Sequence, residues 1–262
     1  MENNIAYIEN MKNILFIPFF AFTLTNCSES VEQQVNKETL QKDEALPFNE
    51  KIVRHIESSL EIASNEKYTY KIYKENLDND SILDAIVSVN RLDYALEEAR
   101  MSGNSAKRAE IGFTGRYNFI FYFDGGLNKI SPAIPVPSSP HAELTIDFIS
   151  LFNQKHKDII VDYTIMNSRF RNYFTVINHT PKQIFQWKLY DNLGEKNMSA
   201  NYLEYGEGSY SGVKDILIFE GAIENSNEVE DIYNFKPVYK KSGKLLHRFF
   251  YLPKERKYFT NK

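Results

Sequence analysis

Tyr117-Asn118-Phe119-Ile120-Phe121-Tyr122-Phe123, closed by Asp124-Gly125-Gly126, is the stretch that decides the fold. Aromatic and β-branched side chains fit a pleated, half-buried surface better than a helix. Six such residues out of seven, cut off by an Asp-Gly-Gly turn, read as one strong strand. Upstream, Tyr68, Tyr70 and Ile72 alternate with Thr69, Lys71 and Tyr73, and Ala85-Ile86-Val87-Ser88-Val89 is a further apolar run. Both are strands by the same rule. Downstream, Leu144–Leu151, Asp158–Met166, Asn172–Asn178, Gln183–Tyr190, Val213–Phe219 and Leu245–Leu252 follow. Residues 178–182 have the length of a hairpin link. Residues 131–141 hold four prolines, which deny a ladder its donors, and read as a loop or extended edge. Residues 191–200 and 206–212 carry Gly, Asn and Ser and read as loops.

Helical spacing occurs in two places. Leu92–Met101 is short, and Glu50–Ala63 puts Ile52, Ile56, Leu60 and Ala63 on one face behind a capping Asn49. The expectation is a mainly β fold: an antiparallel sandwich or propeller-like sheet domain with a few short helices. It occupies residues 51–262 as a single β-rich domain.

The composition sets outer limits. With 42% hydrophobic and 25% charged residues in 262, disorder throughout, collagen and coiled coil are excluded. A net charge of −4 gives no whole-chain attraction to nucleic acid. A single cysteine excludes an intramolecular disulfide.

The amino-terminal segment reads as an address. Met11-Lys12-Asn13 precedes the apolar run Ile14–Leu24, then Thr25, Asn26 and Cys27. A basic start and a short apolar run describe a secretory signal, and the run falls short of the roughly 20 residues a spanning helix needs. The ten residues before Met11 lack that pattern, so Met11 is the expected true start. Leu24-Thr25-Asn26-Cys27 resembles the lipobox of bacterial lipoproteins, with Asn26 where Gly or Ala is usual. The resemblance implies that residues 1–27 are a signal segment and that Cys27 is lipidated. It places the protein in the bacterial cell envelope, at the outer membrane rather than the inner. Residues 28–50 are acidic and poor in apolar side chains, a flexible tether by composition.

One constellation carries chemistry. Asn76-Leu77-Asp78-Asn79-Asp80-Ser81-Ile82-Leu83-Asp84 sets oxygen side chains at alternate positions, with a carboxylate closing the run at the next strand. Calcium takes six to eight oxygens at 2.3–2.6 Å, and every second side chain of a tightly curled loop can converge on one point. The loop resembles the D-x-D-x-D-G-x-x-D calcium loop of FG-GAP and VCBS-like repeat domains. By that resemblance the ligands of a Ca2+ ion are Asn76, Asp78, Asp80, the carbonyl of Ile82, and Asp84. Asn76 stands for the usual Asp and Ser81 for the usual Gly. The likeness covers nine residues and the strand after them.

Weaker signals are discounted. The five histidines show no zinc spacing, and no G-x-S-x-G is present. Lys236–Lys262 is basic and interleaved with aromatics, and its plainest reading is a terminal strand packed on the acidic stretch 220–235. Asp84, Asp158 and Asp215 each precede a β-branched run, 74 and 57 residues apart; Asp commonly opens strands, and the spacing is too uneven for a solenoid.

Together these readings describe a membrane-anchored envelope lipoprotein with a calcium-stabilised binding module. Its partners are the membrane, through the lipid, and an envelope protein or glycan, not nucleic acid. One alternative is an envelope hydrolase acting on polysaccharide or peptidoglycan, with a carboxylate pair in the 124–141 or 191–212 loops. The other is an inhibitor of a cell-wall hydrolase.

Overall fold

β3 (Asn118–Asp124) is buried at every position because both its faces are covered. The computed structural model describes residues 46–112, 115–152 and 155–260; the signal segment, Cys27 and residues 28–45 of the expected tether lie outside them. Among the described residues, two antiparallel sheets stack. The smaller joins β1 (Thr69–Glu75), β2 (Asp84–Asn90), β3, and the two-residue strands β4 (Lys129–Ile130) and β5 (Ile134–Pro135). The larger is a meander of eight strands in chain order: β6 (Thr145–Ile149), β7 (Asp158–Ile165), β8 (Ser168–Ile177), β9 (Thr180–Asp191), β10 (Ser199–Gly206), β11 (Asp215–Ile223), β12 (Tyr239–Leu252) and β13 (Lys257–Thr260). The fold is therefore mainly β, and its two antiparallel sheets pack as a sandwich.

The period-two pattern of β3 explains the layering. Phe119, Phe121 and Phe123 meet Ile52 and Ile56 of helix α1 (Phe48–Ser59), together with Ala85, Val87 and Val89 of β2. Ile120 and Tyr122 point the other way, onto Ile146, Ile159, Val161, Tyr163 and Phe174 of the meander. Each such buried side chain is worth about 1.5–3 kcal/mol, so the two faces of one strand tie three layers together. Two further short helices, α2 (Leu92–Ser102) and α3 (Ser105–Gly112), follow β2.

The meander then curls back on itself. β10 bonds to β9 only at Ser199–Asp191 and Ala200–Tyr190; from Asn201 onward it pairs with β11 alone. Past that corner the second half folds over the first. Ile160, Tyr173 and Phe185 face Ile216, Ile218, Phe249, Tyr251 and Tyr258 across a second core. The rings of Phe185 and Tyr258 are 5.6 Å apart although β9 and β13 are four places apart in the sheet. β13 pairs only with Phe249–Leu252, so residues 239–248 of β12 have a strand on one side only among the described residues.

Several boundaries differ from the sequence expectation. The first helix starts at Phe48, with Pro47 rather than Asn49 at the cap position and no side-chain cap. The Phe48 ring packs on Phe123 at 4.9 Å, and that tertiary contact draws the first turn forward. The 178–182 link shortens to a two-residue turn, because Ile177 pairs with Thr180. α3, β10 and β13 were not expected at all. Lys236–Lys262 supplies β12 and β13; β12 pairs with β11, and Lys240 meets Glu224 of the acidic stretch.

The three strand-opening aspartates share one structural role. Asp84, Asp158 and Asp215 begin β2, β7 and β11 and are 0–1% exposed. Each accepts a backbone N–H from six or seven residues earlier: Leu77 at 3.0 Å, Leu151 at 2.9 Å and Ser209 at 3.2 Å. A buried carboxylate is costly unless its lone pairs are filled, and these bonds partly fill them by folding the preceding loop over each strand end; Asp158 Oδ1 makes no hydrogen bond of good geometry.

Candidate metal centre

The Asn76–Leu83 loop is curled by its own side chains. Asp78 Oδ1 accepts the N–H of Asp80 at 2.8 Å, and Asp80 Oδ1 accepts the N–H of Ile82 at 2.7 Å. Asn76 Nδ2 donates to the Asp80 carbonyl at 2.9 Å. Two successive Asx turns result, which is what Asp and Asn at alternate positions favour.

The Asp124-Gly125-Gly126 turn clamps that loop. Gly125 N donates to Asp84 Oδ1 at 2.9 Å, and Asp124 Oδ1 accepts the N–H of Leu127 at 2.7 Å. A Cβ on Gly125 would stand 2.2 Å from the Leu83 carbonyl oxygen, and one on Gly126 would stand 2.1 Å from Asp80 Oδ2. The two glycines are there because loop and turn touch backbone to backbone and backbone to carboxylate.

A third element reaches in from the meander. The β8–β9 turn is Asn178-His179, with φ of +49° and +59°. Positive φ at both central residues is the type I′ geometry that suits the twist of a hairpin. It aims the imidazole at the small sheet. His179 Nδ1 lies 2.7 Å from Asp124 Oδ2 and 3.8 Å from Asp78 Oδ2. One ligand atom from each of Asp78, Asp124 and His179 falls within 4.8 Å of the others.

Asp84 is 1% and Asp124 3% exposed, and Ala85 pairs with Phe123, so the two aspartates follow at neighbouring strand ends. Burial pushes the Asp84 carboxyl up, the N–H bonds of Gly125 and Leu77 pull it back, and Asp78 and Asp124 push it up again. The Tyr122 hydroxyl is held well above its ordinary value by burial and then by Asp84, Asp124 and Asp78. That residue is 1% exposed, and its hydroxyl has no partner in good hydrogen-bond geometry. The Asn76 Oδ1 atom is likewise buried without a partner. Orphaned buried oxygens beside crowded carboxylates are what a cation or ordered water would satisfy.

Of the residues expected to bind calcium, Asp78 joins the cluster with Asp124 and His179. Asp80 lies with Oδ2 against Gly126, and Asn76 has one oxygen free. Asp84 turns both oxygens to backbone N–H groups of Leu77 and Gly125. Ile82 stands outward, 52% exposed. From sequence, Asp124 reads only as a turn residue, and His179 only as one of five histidines without zinc spacing. The available signals were an Asp opening a Gly-Gly turn and a histidine in a tight hairpin link.

Among the described residues, no helix is long and apolar enough to cross a membrane. In comparisons with family models, curated proteins and solved structures, the chain matches none of them.

Proposed function

We propose that the protein is a lipid-anchored lipoprotein of the bacterial cell envelope, held at the outer membrane through Cys27. Its β domain is a binding module for an envelope protein or glycan, stapled by a divalent cation that is calcium by the resemblance of its loop. The observation that carries the reading is the meeting of Asp78, Asp124 and His179 where the Asn76–Asp84 loop, the Asp124-Gly125-Gly126 turn and the β8–β9 turn converge. The oxygens of Asp78 and Asp124 suit calcium, and the orphaned Asn76 Oδ1 supports a further contact with an ion. A cation there binds the folded chain alone, so it stabilises by mass action.

Two measurements on the full chain test the reading. Expressed in a bacterium that carries the lipoprotein pathway, it should incorporate labelled palmitate, and Cys27→Ser should not. Purified in detergent, it should melt higher with excess calcium than with chelator. Absence of label in the parent chain removes the anchor. Identical melting with every divalent ion tried removes the staple.

A further inference from the structure

We infer that His179 is itself a ligand of the stapling cation, so that the site is a mixed nitrogen–oxygen one that ranks Zn2+ above Ca2+. The inference rests on the proposed cation at the loop, adds its third ligand, and prefers zinc to the calcium that the resemblance of the loop implies. Calcium is a hard cation served by oxygens, whereas an imidazole nitrogen suits zinc and its neighbours in the first transition row. His179 Nδ1 is 2.7 Å from one carboxylate of the cluster and 3.8 Å from the other. The imidazole is the one group in the cluster able to carry positive charge, against the carboxylates of Asp78, Asp124 and the adjoining Asp84. A single exposed imidazolium offsets at most one of three carboxylates, two of them buried; a dication offsets two.

An independent observation also points to a ligand. The Tyr122 hydroxyl is buried among Asp84, Asp124 and Asp78; it lies within reach of Asp84 but makes no hydrogen bond of good geometry. The hydroxyl makes sense beside a metal or a metal-bound water. Three protein ligands with a position left for water is also the pattern of an open zinc site.

The three ligands lie on three elements. Asp78 is in the β1–β2 loop and Asp124 at the end of β3, both in the small sheet; His179 is in the β8–β9 turn of the meander. An ion taking all three would close the sandwich at one end. The His179 ring is 52% exposed, so the ion has a way in.

The test is metal titration of the full chain in detergent, freed of metal with chelator, using Zn2+ alone and Ca2+ alone against a competing chromophoric chelator. The variant is His179→Asn, because Asn tolerates the left-handed backbone of the turn. In chelator the variant should keep a cooperative melting transition, lowered by no more than the loss of the His179–Asp124 contact, which establishes that the fold still forms. Zn2+ should bind the parent more tightly than Ca2+. His179→Asn should weaken Zn2+ by more than about tenfold, the least that even an outer-shell partner contributes to such sites. Its effect on Ca2+ should stay within about twofold, since calcium does not draw on the nitrogen. Asp78→Asn should weaken both ions. If calcium binds more tightly than zinc, or if His179→Asn leaves zinc unchanged, the inference falls and the oxygen-only staple stands. If neither ion binds, both readings fall.

Discussion

The backbone N–H of Lys157 donates to the carbonyl of Asn76 across 2.8 Å, a bond between the residue before β7 and the first residue of the β1–β2 loop. Lys214, in the same position before β11, donates to the Leu151 carbonyl at 3.0 Å. Each loop that a strand-opening aspartate folds over is thus bonded to the residue preceding the next such aspartate. The run of contacts passes from Asp84 through Asp158 to Asp215. Removing one member should be felt as a loss of the whole loop above it. Asp215→Ala takes away the acceptor of Ser209 N and the partner of Arg248, 2.7 Å away. It should cost about 2–3 kcal/mol in denaturant unfolding, the range for hydrogen bonds to a buried charged group. A loss below about 0.5 kcal/mol, as at an ordinary surface site, would show that Asp215 merely begins a strand.

Asp158 gives the fold a pH dependence of definite sign. Burial raises its carboxyl in the folded state, and the N–H groups of Leu151 and Phe152 only partly offset that. The folded state therefore holds the proton more firmly than the unfolded chain, where the value is about 3.9. The stabilising contribution is complete below the unfolded value and is lost as pH rises through the folded one. Melting of the parent chain and of Asp158→Asn, compared from about pH 4 up to neutrality, should show the parent losing ground to the variant as pH rises. A difference independent of pH would contradict it.

Gly125 and Gly126 are neighbours with different reasons to be glycine. A methyl on Gly125 strikes the Leu83 carbonyl, which is backbone and cannot move alone; one on Gly126 strikes the free end of Asp80. Gly125→Ala should destabilise by about 1–3 kcal/mol, the usual cost of overpacking. Gly126→Ala should cost less than Gly125→Ala in chelator, because the Asp80 side chain can swing aside. Equal losses in thermal unfolding would mean that the turn does not rest on the loop as described.

Helix α1 is held on the small sheet by its apolar face, by Lys51 Nζ donating to Asn128 and by His55 Nε2, 2.9 Å from the Ser131 carbonyl. Ile52 and Ile56, each 1% exposed, carry its inner face onto Val87 and Phe121. Ile56→Ala should cost about 2–5 kcal/mol in equilibrium unfolding. Amide exchange should rise first in residues 48–59, because the helix covers one side of the small sheet. Uniform exchange across the molecule would argue against a separately loosened layer.

Much of this was readable from residue order because burial imposes a local rhythm. β3 and β2 declare themselves by aromatic and β-branched runs, and the Ile52–Ile56 face by helical spacing. β10 does not, because Asn201 to Gly206 is half-buried and mixes Tyr202, Leu203, Glu204 and Tyr205 without alternation. β13 is four residues long, too short to show a period. The Asn76–Asp84 loop was visible since its oxygens recur every second residue. Asp124 and His179 were not, because nothing local links either to Asp78; the pairing of β2 with β3 brings Asp124, and the stacking of the two sheets brings His179, within reach.

The open side of β12 has a consequence for how copies of the protein treat one another. Between Tyr239 and Arg248 one side of the strand pairs with no other strand among the described residues, the kind of border along which strands of separate molecules join. Lys240, Lys241, Lys244 and Arg248 stand along it. Between Phe219–Leu245 and Gly221–Lys241 the register slips, which bends the strand out of a flat line. Lys240, Lys241 and Arg248 are paired there with Glu224, Glu204 and Asp215. Two such borders brought together would have to fit those ion pairs on crooked rails, so fusion of sheets from separate copies is met at this border by poor fit.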